Sequence, residues 1–174
     1  MEAKGVTIWR FFAILGKLVL AALIALTVAA IMFPGEHGFS RIASNEASAV
    51  AAIRVLNDAE ARYASQYGGG FTDTLQKLGP PSSGQPSREH ASLVDAPLTG
   101  NGGRDQTGFV RNGYVFRYTP GKETPGSPSD IRSNVITADP GNRGSSGQRS
   151  FYTDESGVIR ANAAAAASAG DTPI

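Results

Sequence analysis

The sequence predicts an α+β protein: an N-terminal transmembrane helix, then an amphipathic helix packed on a small antiparallel sheet of three to four strands. Three observations carry that prediction. Residues 18–33, LVLAALIALTVAAIMF, run without a charge. Residues 44–67 repeat apolar side chains at helical spacing. From residue 114 onward the period shortens to two, in short runs of β-branched and aromatic residues broken by Pro, Gly and Asp.

The first element is the anchor. At 1.5 Å per residue, Leu18–Phe33 makes a helix of about 24 Å, short of a hydrocarbon core of roughly 30 Å. Carried back to Phe11, the helix reaches about 35 Å and takes in Lys17, whose long stem can snorkel to the headgroups. Trp9, Arg10 and Lys17 are the expected interface anchors. Lys4, Arg10 and Lys17 outweigh Glu2 on this side, which orients the N-terminus inward. The reading is a single-pass protein of the cell inner membrane, with a cytoplasmic N-terminus and its C-terminal domain in the periplasm or at the cell surface. A cleaved signal peptide with its apolar region at Leu18–Ile31 is the rival, but no convincing A-x-A site precedes Pro34. Ala21, Ala25 and Ala29 recur every four residues, a spacing that offers a helix-packing face and is also common in generic anchors.

Residues 1–34 are therefore assigned to the cytoplasmic overhang and anchor, 35–162 to the exported domain, and 163–174 (AAAAASAGDTPI) to a low-complexity tail expected to fray. Pro34-Gly35 breaks the first helix. The second begins near Ser44, a suitable N-cap, with Glu46 in its first turn. Val50, Ile53, Leu56, Tyr63 and Tyr67 share one face, whereas Arg54, Asp58 and Arg62 form a solvated one. Gly68-Gly69-Gly70 ends it. Leu75 and Leu78 point inward from a short helical turn, and ASLVDAPL (residues 91–98) fits either a short helix or an edge strand. Tyr114, Phe116 and Tyr118 mark the buried face of one strand and residues 133–138 form another. Residues 150–153 and 158–161 make a hairpin across Asp154-Glu155-Ser156-Gly157.

Composition excludes much chemistry. The chain has 174 residues, no Cys and a net charge of +1, which argues against disulfides, thiolate metal sites and nucleic-acid binding. His37 and His90 lie far apart without metal-ligand spacing, and no phosphate-binding or nucleophile-elbow motif is present. Gly100-Asn101-Gly102-Gly103 lacks the strand-to-helix setting of a phosphate cradle. Asp154-Glu155 reads as turn residues. A cation site near Asp139 or Asp154 would need more oxygen ligands than the sequence clusters there. No catalytic residue, cofactor or metal is expected.

Several stretches carry a resemblance: NEASAVAAIRVLNDAEARYASQYGGGF (residues 45–71), NGYVFRYTPG (112–121), ITADP (136–140) and GQRSFYTDESGVIR (147–160). In this order, behind an apolar helix, they resemble the type IV pilins and the pseudopilins of type II secretion over roughly residues 42–162. The resemblance implies a pilin-like, membrane-anchored exported protein with a structural or assembly role in a pilus-like or type II secretion-like system. Its implied partners are membrane lipid and copies of itself or other pilin-like subunits. It also implies a prepilin-type processing site at Lys4, Gly5 and Val6. Arg10 stands where that family carries a Glu thought to neutralise a neighbour's N-terminal amine, so Gly5 is expected to stay uncut. The alternative is a non-assembling single-pass protein whose pilin-like domain binds a ligand or envelope partner.

Overall fold

The computed structural model describes residues 3–32, 35–100, 108–124 and 127–174, with side chains described for 12–28, 41–100, 108–124 and 130–174. The chain divides into two compact units, Met1–Ser40 and Arg41–Ile174. In the first, helix α1 spans Ala3–Met32. The expected transmembrane span does not follow from it: among the described residues, no helix is long and apolar enough to cross a membrane. The uncharged run of residues 18–33 covers only about 24 Å, and a longer span has to be carried back past Lys17. The single-pass inner-membrane location, with its cytoplasmic N-terminus and exported domain, rested on that span and falls with it.

Helix α2 (Gly35–Tyr67) starts nine residues before the expected N-cap, so Ser44 and Glu46 are helix-interior positions. From Arg41 onward it belongs to the second unit. Its buried side is Ala49, Ala52, Ile53, Leu56, Ala59 and Tyr63, with Val50 and Tyr67 packed at the margin. Three of these are alanines. Arg54, Asp58 and Arg62 are exposed, and Asp58 pairs with Arg62 at 3.7 Å. Gly68, Gly69 and Gly70 all take positive φ (64°, 88° and 85°), which stops the helix and turns the chain.

The sheet is larger than expected. It has six strands, all neighbouring pairs antiparallel, in the order β1 (Gly108–Arg111), β2 (Tyr114–Pro120), β5 (Asn134–Pro140), β6 (Ser150–Asp154), β7 (Arg160–Asn162) and β8 (Thr172–Pro173). A two-stranded ribbon, β3 (Glu123–Thr124) and β4 (Ser127–Ile131), stands apart. Period-two burial holds along β2 and β5: Tyr114, Phe116 and Tyr118 alternate inward, as do Asn134, Ile136 and Ala138. The register sets Phe116 opposite Ala138 and Tyr118 opposite Ile136, while Ala138 also faces Phe151. Phe109 of β1 stacks on Phe116 with centroids 4.4 Å apart. The architecture is thus one helix laid on one face of an antiparallel sheet, an α+β fold.

The tail does not fray. Residues 163–174 return to the sheet and supply β8. Arg143 donates to the carbonyls of Ala163 and Ala165 at 3.0 and 3.1 Å. Asp171 accepts from the amide and hydroxyl of Ser168 and from Asn162, and the amide of Ile174 bonds the carbonyl of Ile159. Side-chain bonds replace the hydrophobic contacts that an alanine-rich segment cannot make.

Candidate functional site

Among the described residues of the second unit, three places combine polar groups with burial or a groove. The first is a groove beside α2. Leu75–Leu78 forms a 3-10 turn that buries both leucines. Its carbonyls receive the next segment edge to edge: the amide of Ala91 bonds Lys77 at 2.7 Å, and those of Leu93 and Val94 bond Leu78 at 2.8 and 3.1 Å. Ser92 holds a positive φ of 54° within this hook. Between the hook and α2 lies a groove of about 430 Å³ with Ala51, Val55, Leu93 and Ala96 on its walls and Asp95 and Arg111 among its polar groups. Of residues 91–98, Ala96–Leu98 is a 3-10 turn and the remainder is irregular loop. Among the described residues, the lining carries no His and no nucleophile is paired with a base there.

The second place is buried. Glu60 is 1% exposed, four residues after Leu56 and three before Tyr63 on the inward side of α2. Its Oε2 accepts the Thr72 amide at 2.9 Å and its Oε1 accepts the Thr72 hydroxyl at 2.6 Å. The Tyr118 hydroxyl donates to the Thr72 carbonyl at 2.6 Å and lies 3.4 Å from Thr72 Oγ1. Burial pushes the Glu60 carboxyl up to about 6, only partly offset by the bonds from Thr72 and Tyr118. Burial and the Glu60 charge keep the Tyr118 phenol far above its usual range.

The third place ties the helix to the loop before β6. Glu46 accepts the amides of Gln148 and Arg149 at 2.9 and 3.0 Å and pairs with Arg149 Nε at 2.8 Å. Burial pushes its carboxyl upward, but the Arg149 and Gln148 amides and the Arg149 guanidinium together hold it below the ordinary carboxylate range. Nearby, Asn45 donates to the Ser146 carbonyl at 2.8 Å. Farther along the helix, Asn57 donates to Thr153 Oγ1 at 3.0 Å. These bonds fix the helix on the sheet, and among the described residues they leave no reactive group poised.

The residues singled out by sequence fall elsewhere. The side chains of Lys4, Gly5, Val6, Trp9, Arg10 and Ala29 lie outside the described ones, although all six positions fall within α1. Lys17, Ala21 and Ala25 are exposed on α1. Asp139 pairs with Arg117 at 3.7 Å, and Asp154 caps its own turn by accepting the Ser156 amide at 3.0 Å. The two aspartates do not share a site. Among the described residues no group of three or more His, Asp or Glu could hold a metal ion. Sequence reasoning missed Glu60, although a carboxylate between Leu56 and Tyr63 on the apolar stripe was the available signal.

No protein-family model, curated protein or solved structure matches the chain.

Proposed function

We propose that this chain is a pilin-like structural subunit of a pilus-like or type II secretion-like system. It acts by assembling with copies of itself or with like subunits and performs no reaction of its own. The observation that carries this reading is α1. Large apolar side chains are exposed along it, among them Leu18 (62%), Leu20 (59%), Leu23 (56%) and Leu26 (72%). Exposed apolar surface on this scale marks an interaction site, and a helix greasy on every side needs covering. Neighbouring helices can provide that cover, with Ala21 and Ala25 admitting a close approach of backbones. The α+β body, one helix backed by an antiparallel sheet, is consistent with the same reading.

A second reading draws on a different observation. The groove of about 430 Å³ between α2 and the Ala91–Leu98 segment suits a non-assembling domain that binds a ligand. Analytical ultracentrifugation separates the two. The full chain is expected to sediment as a multimer, and a chain beginning at Arg41 as a monomer. Leu23→Lys should shift the full chain toward monomer. A full chain that stays monomeric at high concentration would overturn assembly and favour the ligand-binding reading.

A further inference from the structure

The Glu60 cluster plays no part in the assembly reading, yet it is the most unusual placement of a titratable group in the described structure. A carboxyl that is 1% exposed normally has a cationic partner. Here Thr72 engages both its oxygens and the Tyr118 hydroxyl adds to them, and neither group is a cation. The charges around it come from three elements. Tyr118 on β2 is an uncharged phenol. Asp73, on the connector beside Thr72, has the same sign as ionised Glu60 and disfavours that form. Lys77, on the following turn, is occupied by Asp73 at 3.2 Å and Glu89 at 3.4 Å. On α2 itself, Tyr63 turns away and donates to the Arg88 carbonyl at 2.9 Å. A cavity of about 10 Å³, lined in part by Thr72, Asp73, Tyr63 and Lys77, adjoins the cluster.

The hydrogen bonds accommodate either protonation state. With Glu60 ionised, the Thr72 hydroxyl donates to Oε1. When a proton from solvent arrives on Oε1, that oxygen becomes the donor to Thr72 Oγ1. The Thr72 hydroxyl then turns to Tyr118 Oη, 3.4 Å away. Tyr118 keeps donating to the Thr72 carbonyl, and the Thr72 amide keeps its bond to Oε2. No partner is lost, and a buried charge is removed.

The connector held by this cluster has other attachments. The Phe71 amide bonds the Ile131 carbonyl at 2.8 Å, and the Ile131 amide bonds Gly69 at 3.1 Å. Residues 69–72 therefore join α2, β2 and the β3–β4 ribbon. From this geometry we infer that Glu60, Thr72 and Tyr118 form a proton-operated latch, which clamps the 69–72 connector onto the helix more firmly in mildly acidic surroundings than at neutral pH.

The sign follows from where the proton is held more tightly. The folded chain retains the Glu60 proton up to about 6, against an ordinary 4.5. The stabilisation is therefore complete below 4.5 and lost as pH rises through 6. Between pH 5 and pH 7.5 this change corresponds to roughly a tenfold loss in the folding equilibrium constant.

The test compares the full chain with Glu60→Gln in urea unfolding at pH 5 and pH 7.5. All other titrating groups are common to both proteins, so the difference between them isolates Glu60. The wild type is expected to lose about tenfold more of its folding constant than the variant over this interval. Hydrogen exchange at the Thr72 amide should speed up at pH 7.5 relative to the variant, after correction for the intrinsic rate. Equal pH dependence in the two proteins would overturn the latch. If Glu60→Gln does not fold, carbon-13 titration of the wild-type Glu60 carboxyl decides: a midpoint near 6 supports the latch, and one in the ordinary glutamate range refutes it.

Discussion

Truncating Ile53 to Ala tests the helix–sheet interface where it is most committed. Ile53 is fully buried on α2 and belongs to the same core cluster as Leu56, Tyr114, Phe116 and Phe151. The substitution removes three carbons' worth of apolar volume, about 2.5 kcal/mol at roughly 0.8 kcal/mol for each buried methylene. The sheet cannot close fully over the gap, so the cavity brings the total to about 3–4 kcal/mol. Val55, two residues on, is 44% exposed, and Val55→Ala should cost less than about 0.5 kcal/mol. Ile53→Asp should cost more than Ile53→Ala, because the carboxylate has no partner at that depth. Urea unfolding followed by near-UV circular dichroism measures all three, since all five tyrosines lie in the second unit. Similar losses for Ile53→Ala and Val55→Ala would mean that the buried face of α2 is wrongly assigned.

Two further outcomes follow from the same packing. Gly70→Ala should destabilise the fold by several kcal/mol or shift the connector, because a Cβ there would lie 2.0 Å from the Ile131 carbonyl oxygen at a φ of 85°; thermal unfolding reads the loss. Glu46 works in the opposite sense to Glu60. Its carboxyl is held below the ordinary 4.5, so its contribution is present above that value and lost as pH falls through the folded one. Glu46→Gln should cost about 1–2 kcal/mol at pH 7 and less at pH 3, as measured by urea unfolding at the two values.

Much of the fold was legible because the hydrophobic pattern carries it. The spacing of Ile53, Leu56 and Tyr63 located the buried face of α2, and the alternation of Tyr114, Phe116 and Tyr118 located that of β2. The two-residue Asn112-Gly113 connection was an equally strong hairpin signal. Both residues take positive φ (47° and 75°) and join β1 to β2, but the strand before them is only four residues long and is easily passed over. The early start of α2 was hidden because residues 35–43 have no apolar period of their own. β8 was hidden for a different reason. Arg143 and Asp171 hold the alanine-rich tail through individual hydrogen bonds, and such bonds leave no periodic trace in a sequence. The candidate sites were less legible for the same reason. Glu46 and Asn57 read as ordinary helix-surface residues until the sheet side brings Arg149 and Thr153 against them, and the place of Glu60 on the apolar stripe does not reveal Thr72 and Tyr118 as its partners. The membrane span was overread because its length depended on extending an uncharged run past Lys17.

Assembly of α1 with other copies of the chain can be read by disulfide trapping. The chain has no cysteine, so an introduced one reports on its own position alone. Ala25→Cys puts a thiol on the small-residue side of α1, and Asp58→Cys puts one on the exposed face of α2. Under mild oxidation of the full chain, Ala25→Cys should give a disulfide-linked dimer and Asp58→Cys a monomer on a non-reducing gel. A monomer in both cases, or equal dimer in both, would contradict assembly through α1.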